Sequence, residues 1–391
     1  MDYEANLARI FERVKEKSIQ SPDSNGNFLK WRFGKPADWD DLREKMTEDL
    51  YSAGPSPTHE DFFATVDRFL ARLGTHHSGV IGAEPYYARW LYVPDVRSGG
   101  FDTEGPICQE PWPVLKTRRD RSDEMTNELT LTQSRRWSND QLQPIFSLLA
   151  DKQIAYLSLP GHFPGRDLPA SIQYESTLRD GLMKASRSKK LKGAIVDLRD
   201  DWGGGCGPML RGLSPLLGDE PLGYFINVNK QTAWTSDYGH SFHDSQSKPY
   251  AGNKSNYPLR DLPVVMLMGQ NTGSSGEITA LSLITRPNTV TIGSPSAGGT
   301  SANEGCGALL PELEAGCYFT TSISTDRTQK HGRGYAVSPD VLSRFPVHTA
   351  MKWMTNNLGI KADFAKLAGQ VAGIRQRHDI SHRNALKKFE A

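Results

Sequence analysis

The spacing of apolar residues divides the chain into a helical first part and a part in which strands and helices alternate. Within residues 1–79, apolar side chains such as Leu7, Phe11 and Val14 recur at helical spacing, which predicts amphipathic helices. From residue 151 onward, short continuous apolar runs bounded by turn residues alternate with helical patterns. Such runs are typical of strands buried on both faces of a sheet.

These patterns predict four segments. They are an N-terminal helical subdomain over 1–79, an irregular β and loop connecting region over 80–150, an α/β core over 151–345, and a helical C-terminal tail over 346–391. A chain of 391 residues is long enough for a large core with more than one substructure.

The apolar run Val264–Met268 ends at a glycine-containing turn, and helical spacing resumes after Ser274 and Ser275. The pattern predicts strand, tight turn and helix, with both serines at the head of the helix. Backbone N–H groups there have no intrahelical partner, and the helix dipole favours negative charge. The corner suits a nucleophilic serine whose oxyanion takes a hydrogen bond from Ser275 N–H. Serine and glycine are also ordinary capping residues, so a purely structural role stays open.

A second predicted strand, from Gly193 to Arg199, leads into the glycine-rich sequence DDWGGGCG at 200–207. A loop of this kind between strand and helix can cradle phosphate. This one lacks the lysine of a P-loop and the spacing of a dinucleotide fingerprint. Its bare glycines favour another use, which is to present backbone N–H groups to an oxygen that gains charge.

The helical first part ends at Gly74 and is followed directly by Thr75, His76 and His77. Adjacent histidines just past a helix end are compatible with surface residues. A metal site is disfavoured, because neighbouring positions on a turn diverge and the nearby sequence offers no third ligand.

Composition excludes several classes of partner. Lys plus Arg is 46 and Asp plus Glu is 45, giving a net charge of +1, so no basic excess points to nucleic acid and no polybasic block to a membrane. The N-terminal sequence lacks the apolar stretch of a signal peptide. We therefore expect a cytoplasmic location, or export if a leader has been removed.

Cysteine usage gives a weaker signal. Four cysteines are too few for a disulfide scaffold, and none has the CxxC spacing of a zinc site. Cys306 and Cys317 flank a predicted hairpin, and whether they form a disulfide stays open.

Six short segments resemble, in order, the tail-specific or C-terminal-processing serine peptidase family, and its tricorn-core branch in particular. They are LGTHH at 73–77, YLSLP at 156–160, IVDLRDDWGGG at 195–205, GSSGEI at 273–278, GSPSAGG at 293–299 and VSPD at 337–340. Each motif is weak alone, and their order and spacing carry the resemblance. A second branch of the family uses a lysine base in a GKG loop, where this chain has Gly298-Gly299-Thr300. The resemblance therefore favours a serine–histidine site.

The resemblance implies an α/β (α+β) fold with a crotonase- or ClpP-like core behind an N-terminal helical subdomain. It implies Ser274 as the nucleophile and His77 as the general base, because a serine hydroxyl needs a base at neutral pH. The remaining implied roles are an oxyanion hole from Ser275 with Gly203 and Gly204, an orienting acid at Asp326, and substrate-binding residues Gly298, Gly299 and Arg333. Arg333 would act as a clamp for a substrate carboxylate.

The expected function is a serine peptidase that hydrolyses peptides or unfolded polypeptides through an acyl-enzyme. It would need no metal or organic cofactor, and no nucleic-acid or membrane partner; a homo-oligomer is left open. A tethered PDZ module is not expected between residues 80 and 150. Two alternatives remain. One is a non-catalytic module on the same fold that binds lipid or peptide, and the other is a ligase or cyclase that passes the acyl group to an amine.

Overall fold

The computed structural model describes most of both ends of the chain and little of residues 82–142. The described residues are 2–19, 37–73, 77–81, 143–162, 168–218, 220–227, 230–236, 257–310, 315–360, 363, 366–367 and 369–373. They form helices and sheets of a mixed α+β fold, which confirms the predicted class. Most of the predicted connecting region, together with His76 and Cys108, lies outside the described residues.

The chain divides into two compact units. The first unit contains Met1–Arg135, Ile226–Gln231 and Ser301–Ile323, and the second contains Arg136–Phe225, Thr232–Thr300 and Ser324–Ala391. The helices are α1 Tyr3–Lys17, α2 Trp39–Leu50, α3 His59–Arg72, α4 Leu168–Ser186, α5 Cys206–Gly212, α6 Ser214–Leu217, α7 Ser275–Ile284 and α8 Pro346–Leu358. No helix among the described residues has the length and apolarity needed to cross a membrane.

The strands share the chain with these helices. They are β1 Gly79–Ile81, β2 Ile145–Leu149, β3 Ile154–Ser158, β4 Gly193–Asp197, β5 Gly223–Ile226, β6 Gln231–Trp234, β7 Val264–Met268, β8 Thr289–Gly293, β9 Ser301–Leu310, β10 Ala315–Asp326 and β11 Val341–Leu342.

In the first unit, α1, α2 and α3 bury one apolar stripe each around a shared core. Phe11, Phe62 and Phe69 are at most 2% exposed and pack in one cluster with Phe319 of β10. The start of α3 is fixed by a capping box, in which the side chains of Thr58 and Asp61 each accept a backbone N–H from the other. β10 pairs antiparallel with both β1 and β9.

The second unit is built on a six-stranded sheet in the order β11-β8-β7-β4-β3-β2. Every neighbouring pair is parallel except β2 and β3, which are antiparallel. All residues of β3, β4 and β7 are buried, as their continuous apolar runs predict. Because the carboxyl ends of parallel strands share one edge, the loops that follow β4, β7 and β8 meet there.

Helix α7 carries the second unit's most tightly packed backbone approach. Nine of its ten residues, Ser275 to Leu283, are buried. A Cβ added at Gly276 would lie 2.2 Å from the backbone oxygen of Asp201, so only glycine admits the loop after β4 this close to the helix. Just beyond the helix, the buried guanidinium of Arg286 donates to backbone oxygens of Leu216, Leu259 and Leu262.

Two of the four cysteines are described. Cys317 on β10 is disulfide-bonded, and Cys206 at the start of α5 is a free thiol. The side chain of Cys306 lies outside the described residues, so its pairing with Cys317 stays a prediction.

Candidate active site

Ser274 occupies a backbone conformation that serine rarely adopts. It stands between β7 and α7 with φ 51° and ψ −115°. A positive φ is uncommon for any residue other than glycine, and a strained residue persists only when its surroundings hold it. Such residues cluster at functional sites. The conformation turns the chain sharply from strand to helix at this one residue.

Three hydrogen bonds from the turn hold Ser274 in this conformation. Ser274 N–H donates to Glu277 Oε2 at 2.9 Å, and Gly273 N–H donates to the backbone oxygen of Asp201 at 2.9 Å. The hydroxyl of Thr272 donates to the backbone oxygen of Leu198 at 2.8 Å. The serine corner is thereby bonded to the loop that follows the neighbouring strand β4.

Glu277 is fully buried and joins the serine corner to the loop after β8. Besides Ser274 N–H, its carboxylate accepts the hydroxyl of Ser296 and, at 2.7 Å, the N–H of Gly298. Burial raises the pKa of Glu277 to about 7, although these hydrogen bonds favour the ionised form. The sequence analysis gave Glu277 no role. Its signal was present, since an acid three residues after a helix N-cap accepts the N-cap N–H.

The glycine-rich loop lies against Ser274. Gly203 and Gly204 have φ of 118° and 109°, which L side chains rarely adopt. A Cβ added at Gly203 would lie 2.8 Å from Ser274 Cβ and 3.3 Å from Ser274 Oγ. The hydroxyl of Ser275 donates to the backbone oxygen of Gly204. Glycine is therefore required here both for the backbone angle and for the close approach to the serine.

Two backbone N–H groups beside Ser274 are available to an oxyanion. Gly203 N–H donates to Asp201 Oδ1 at 3.2 Å, and the backbone oxygen of Gly203 accepts His162 N–H at 2.8 Å. Within the part of the chain that the structure describes, the N–H groups of Gly204 and Ser275 make no hydrogen bond. Both could thus donate to a developing oxyanion, whereas Gly203 N–H is already engaged.

Asp201 is a second buried acid that the sequence analysis left without a role. Its side chain is fully buried, and burial raises its pKa well above the ordinary value although the Gly203 N–H bond favours ionisation. Its Oδ2 has no hydrogen-bond partner among the described residues. A neutral carboxyl group at this position holds the Gly203 end of the loop without placing a negative charge beside the site.

His77 lies in the first unit, immediately before β1. Its Nδ1 is 2.8 Å from Ser301 Oγ, and its ring meets the ring of Tyr318 edge-on with centroids 6.3 Å apart. Burial lowers the pKa of His77 to about 4, against a hydrogen bond to the Ser301 backbone that raises it. The imidazole is therefore neutral at pH 7, which is the form that can accept a proton.

The implied site residues fall into two groups. Ser274, Ser275, Gly203 and Gly204 come together in the second unit, while His77 belongs to the first. The pairing of the serine with the histidine stays a prediction.

The remaining implied residues belong to the second unit. The buried carboxylate of Asp326 accepts the Thr328 hydroxyl and the N–H groups of Lys330 and His331, so it closes the turn that follows β10. Arg333 has a φ of 60° and its N–H donates to the backbone oxygen of Ser324 at 2.7 Å. The proposed roles of both side chains stay predictions.

Metal-binding potential was assessed over the same residues. Among those that the structure describes, no group of three or more His, Cys, Asp or Glu residues is arranged to hold a metal ion.

Similarity to known proteins extends over much of the chain. Residues 153–343 match the sequence profile described as peptidase family S41. A nisin-resistance protein from Lactococcus lactis subsp. lactis is 32% identical over 203 residues, which are 52% of this chain and 60% of that relative. The chain thus spans less than two thirds of the relative's length.

Solved structures also resemble this chain. A lipoprotein from Streptococcus agalactiae has a TM-score of 0.60 at 19% identity, covering 91% of this chain and 97% of the other. A photosystem II D1 C-terminal processing protease has a TM-score of 0.49 at 12% identity, covering 88% and 94%. The likeness to the lipoprotein shows a shared fold.

Proposed function

We propose, from the premise that this chain carries a domain of peptidase family S41 over residues 153–343, that the protein is a serine peptidase acting through Ser274. The observation that carries the proposal is the Ser274 corner. A strained serine heads a buried helix, and the Gly204 and Ser275 N–H groups beside it are unused by the described residues. This arrangement is typical of a nucleophile beside an oxyanion hole.

In the proposed reaction, Ser274 Oγ attacks the carbonyl carbon of a peptide bond while His77 takes the hydroxyl proton. The carbonyl oxygen becomes an oxyanion, which accepts hydrogen bonds from Gly204 and Ser275 N–H. The tetrahedral intermediate then expels the amine, which leaves with the proton from His77. Water attacks the resulting ester with His77 again as base, releasing the carboxylic acid and restoring the serine.

Two observations support His77 as the base. Its imidazole is neutral at pH 7 because burial lowers its pKa to about 4. Ser301, which contacts its ring, follows Gly298 by three residues, and Gly298 donates to the same carboxylate that accepts Ser274 N–H. The chain offers Gly299 where the lysine branch of the family carries its base, which favours the serine–histidine version proposed here.

The first experiment is labelling with a fluorophosphonate probe together with turnover of a mixed peptide library. We expect labelling and cleavage by the wild-type protein, loss of both in Ser274→Ala, and loss of cleavage in His77→Ala. Ser176→Ala, a change at an exposed serine of α4, is the matched control. Equal labelling and cleavage in all four proteins would sink the proposal, as would binding of lipid or peptide without any labelling.

Product masses separate hydrolysis from acyl transfer to an amine. Hydrolysis adds one water across the cleaved bond, whereas ligation or cyclisation gives a product without that water. We expect the hydrolytic masses, and ligated or cyclised products in their place would identify a transferase.

A second candidate function follows from the 32% identity to the nisin-resistance protein. In this version the protein acts on nisin. Incubation of nisin with wild-type protein and with Ser274→Ala, followed by mass spectrometry, tests it. We expect new nisin fragments only with the wild-type protein, and intact nisin in both reactions would rule this substrate out.

The disulfide at Cys317 bears on location. Disulfides persist in oxidising compartments and are rare in the cytosol. We propose export, in place of the cytoplasmic location expected from the sequence. Cell fractionation with thiol alkylation checks this, and a reduced Cys317 in a cytoplasmic fraction would overturn it.

A further inference from the structure

We propose that Ser301 is the positioning residue for His77, its hydroxyl oxygen accepting the Nδ1–H of the imidazole so that Nε2 carries the lone pair that takes the serine proton. This inference rests on the proposed function. It assigns to a hydroxyl the orienting task that the sequence comparison had given to Asp326.

The contact itself is well defined on both sides. Ser301 Oγ lies 2.8 Å from His77 Nδ1, within the range of an ordinary hydrogen bond. Ser301 is only 9% exposed. It is the first residue of β9, where the ladder places it opposite Ile323 of β10. The hydroxyl is therefore held by a paired strand and does not depend on a mobile loop.

The histidine is anchored by the other side of the same strand. β1 pairs with β10 from Gly79 onward, two residues after His77. The hydroxyl of Thr320 on β10 donates to the backbone oxygen of His77 at 3.3 Å, and Thr320 N–H donates to Ser78 Oγ at 3.1 Å. Because β10 pairs with both β1 and β9, it fixes the spacing between the imidazole and the hydroxyl.

The chemistry of a hydroxyl suits both protonation states of the ring. In the neutral ring with the proton on Nδ1, the Nδ1–H donates to Ser301 Oγ, and Nε2 is the acceptor nitrogen. After the ring takes the serine proton, Nδ1–H still donates to the same oxygen. The contact thus survives the whole cycle and selects one of the two tautomers, which is the task of the orienting group in a serine–histidine site.

A hydroxyl orients without adding negative charge, unlike a carboxylate. Consistent with this, burial dominates the pKa of His77 and lowers it to about 4. The titratable groups around the contact are accounted for. Burial raises the pKa of Tyr318 to about 12, so its phenol is neutral, and the carboxylate of Glu304 on β9 is paired with Arg13.

The test compares three substitutions at position 301 with a matched control. Ser301→Ala removes the acceptor, Ser301→Thr keeps a hydroxyl, and Ser301→Asp supplies a carboxylate. Ser322→Ala is the control, since Ser322 is a buried serine on β10, opposite Ala302 in the same ladder. The measurements are kcat and KM on a cleaved peptide, and kcat/KM as a function of pH.

We expect Ser301→Ala to lower kcat about 10- to 100-fold with KM within about twofold, because loss of tautomer control affects the proton-transfer step. Ser301→Thr should recover activity to within about threefold of wild type. Ser301→Asp should move the acid limb of kcat/KM upward by about one pH unit or more, because a carboxylate stabilises the imidazolium. Ser322→Ala should match the wild type.

A second measurement does not depend on activity. The ¹⁵N shifts of the His77 ring, in histidine-labelled protein at pH 7, report which nitrogen carries the proton. We expect the Nδ1–H form in the wild type and a mixture or the Nε2–H form in Ser301→Ala. An Nε2–H ring in the wild type would overturn the inference even if the alanine variant failed to fold.

The outcomes separate this inference from the proposed function. If His77→Ala abolishes cleavage while Ser301→Ala equals Ser322→Ala, the positioning role is wrong and the peptidase stands. If wild type, Ser274→Ala and His77→Ala cannot be distinguished, the proposed function itself fails.

Discussion

The Ser274 corner and the His77 site show two different ways of holding a reactive side chain. Ser274 is fixed by its own neighbourhood in sequence, with its N–H bonded to a carboxylate three residues later. His77 is fixed across the chain, with its ring bonded to a residue 224 positions away. Both are held by hydrogen bonds of ordinary length, yet only the first arrangement can be read from a short stretch of sequence.

The difference also extends to electrostatics. At the serine corner, burial raises the pKa of Glu277 to about 7 while three donors face its carboxylate. At the histidine, burial lowers the pKa to about 4 and the orienting contact comes from a neutral hydroxyl. Burial acts on an acid and a base in opposite directions because it disfavours whichever form is charged. The two sites therefore respond to pH with opposite sign.

The largest effect should come from removing the carboxylate that holds the serine corner. Glu277→Ala leaves the Ser274 N–H, the Ser296 hydroxyl and the Gly298 N–H without their buried acceptor. We expect the free energy of unfolding to fall by about 3–5 kcal/mol and kcat/KM by about 10³-fold or more.

Urea denaturation and steady-state kinetics measure these two losses. Glu277→Gln is the comparison, because it keeps the shape and should lose less than the alanine variant in both assays. Equal kinetics in wild type and both variants would mean that the corner does not depend on this carboxylate.

The next effect should come from crowding the serine. Gly203→Ala would place a Cβ 2.8 Å from Ser274 Cβ at a φ of 118°. We expect kcat/KM to fall about 10²-fold, because a displacement of the nucleophile by a fraction of an ångström misaligns the attack.

Gly218→Ala is the matched control for backbone strain. Gly218 also has a positive φ, 82°, but an added Cβ there would lie 3.7 Å from its nearest neighbour, on Arg260. Both variants should lose stability by about 1–2 kcal/mol, and only Gly203→Ala should lose activity. Comparable kinetics in the two variants would refute the role of close packing against Ser274.

The pH dependence of stability sharpens the comparison between the two sites. Between about pH 4 and 6.5 the unfolded chain holds a proton on His77 that the folded chain does not, so this group makes stability rise with pH. Between 4.5 and about 7 the folded chain holds a proton on Glu277 that the unfolded chain does not, so this group makes stability fall with pH. In the wild type the two contributions oppose each other.

Substitution at either site should uncover the other contribution. From pH 4.5 to 6.5, His77→Gln should lose stability relative to wild type, and Glu277→Gln should gain it, each by at most about 1 kcal/mol per pH unit. Urea denaturation at pH 4.5, 5.5 and 6.5 measures the slopes. Slopes of the same sign in the two variants would contradict the opposite pKa directions.

The smallest effect should come from Ser275→Ala. The change removes the hydroxyl that donates to the Gly204 backbone oxygen but leaves the Ser275 N–H in place. We expect kcat to fall about three- to tenfold through looser placement of the glycine loop. Steady-state kinetics check this, with Ser176→Ala as the control, and a loss as large as that of Ser274→Ala would mean that the nucleophile has been misassigned.

Much of the second unit was predictable because its signals are local. The apolar run Val264–Met268, the turn after it and the helix at Ser275 were each visible in sequence, and the structure has them. Glu277 was also within reach, since it stands at the third helical position. What the sequence left out was that the carboxylate also binds the loop after β8, because that contact depends on β8 lying beside β7.

The sequence by itself determined the α+β class and the strand–turn–helix corner that positions Ser274, because apolar periodicity, glycine and capping residues act within a few positions of each other. Only the tertiary structure decided that Ser301 meets His77, that Asp326 closes a turn, and that Gly203 N–H is engaged by Asp201. Contacts between residues distant in sequence depend on strand register and on which loops share a sheet edge. No local pattern of side chains records either.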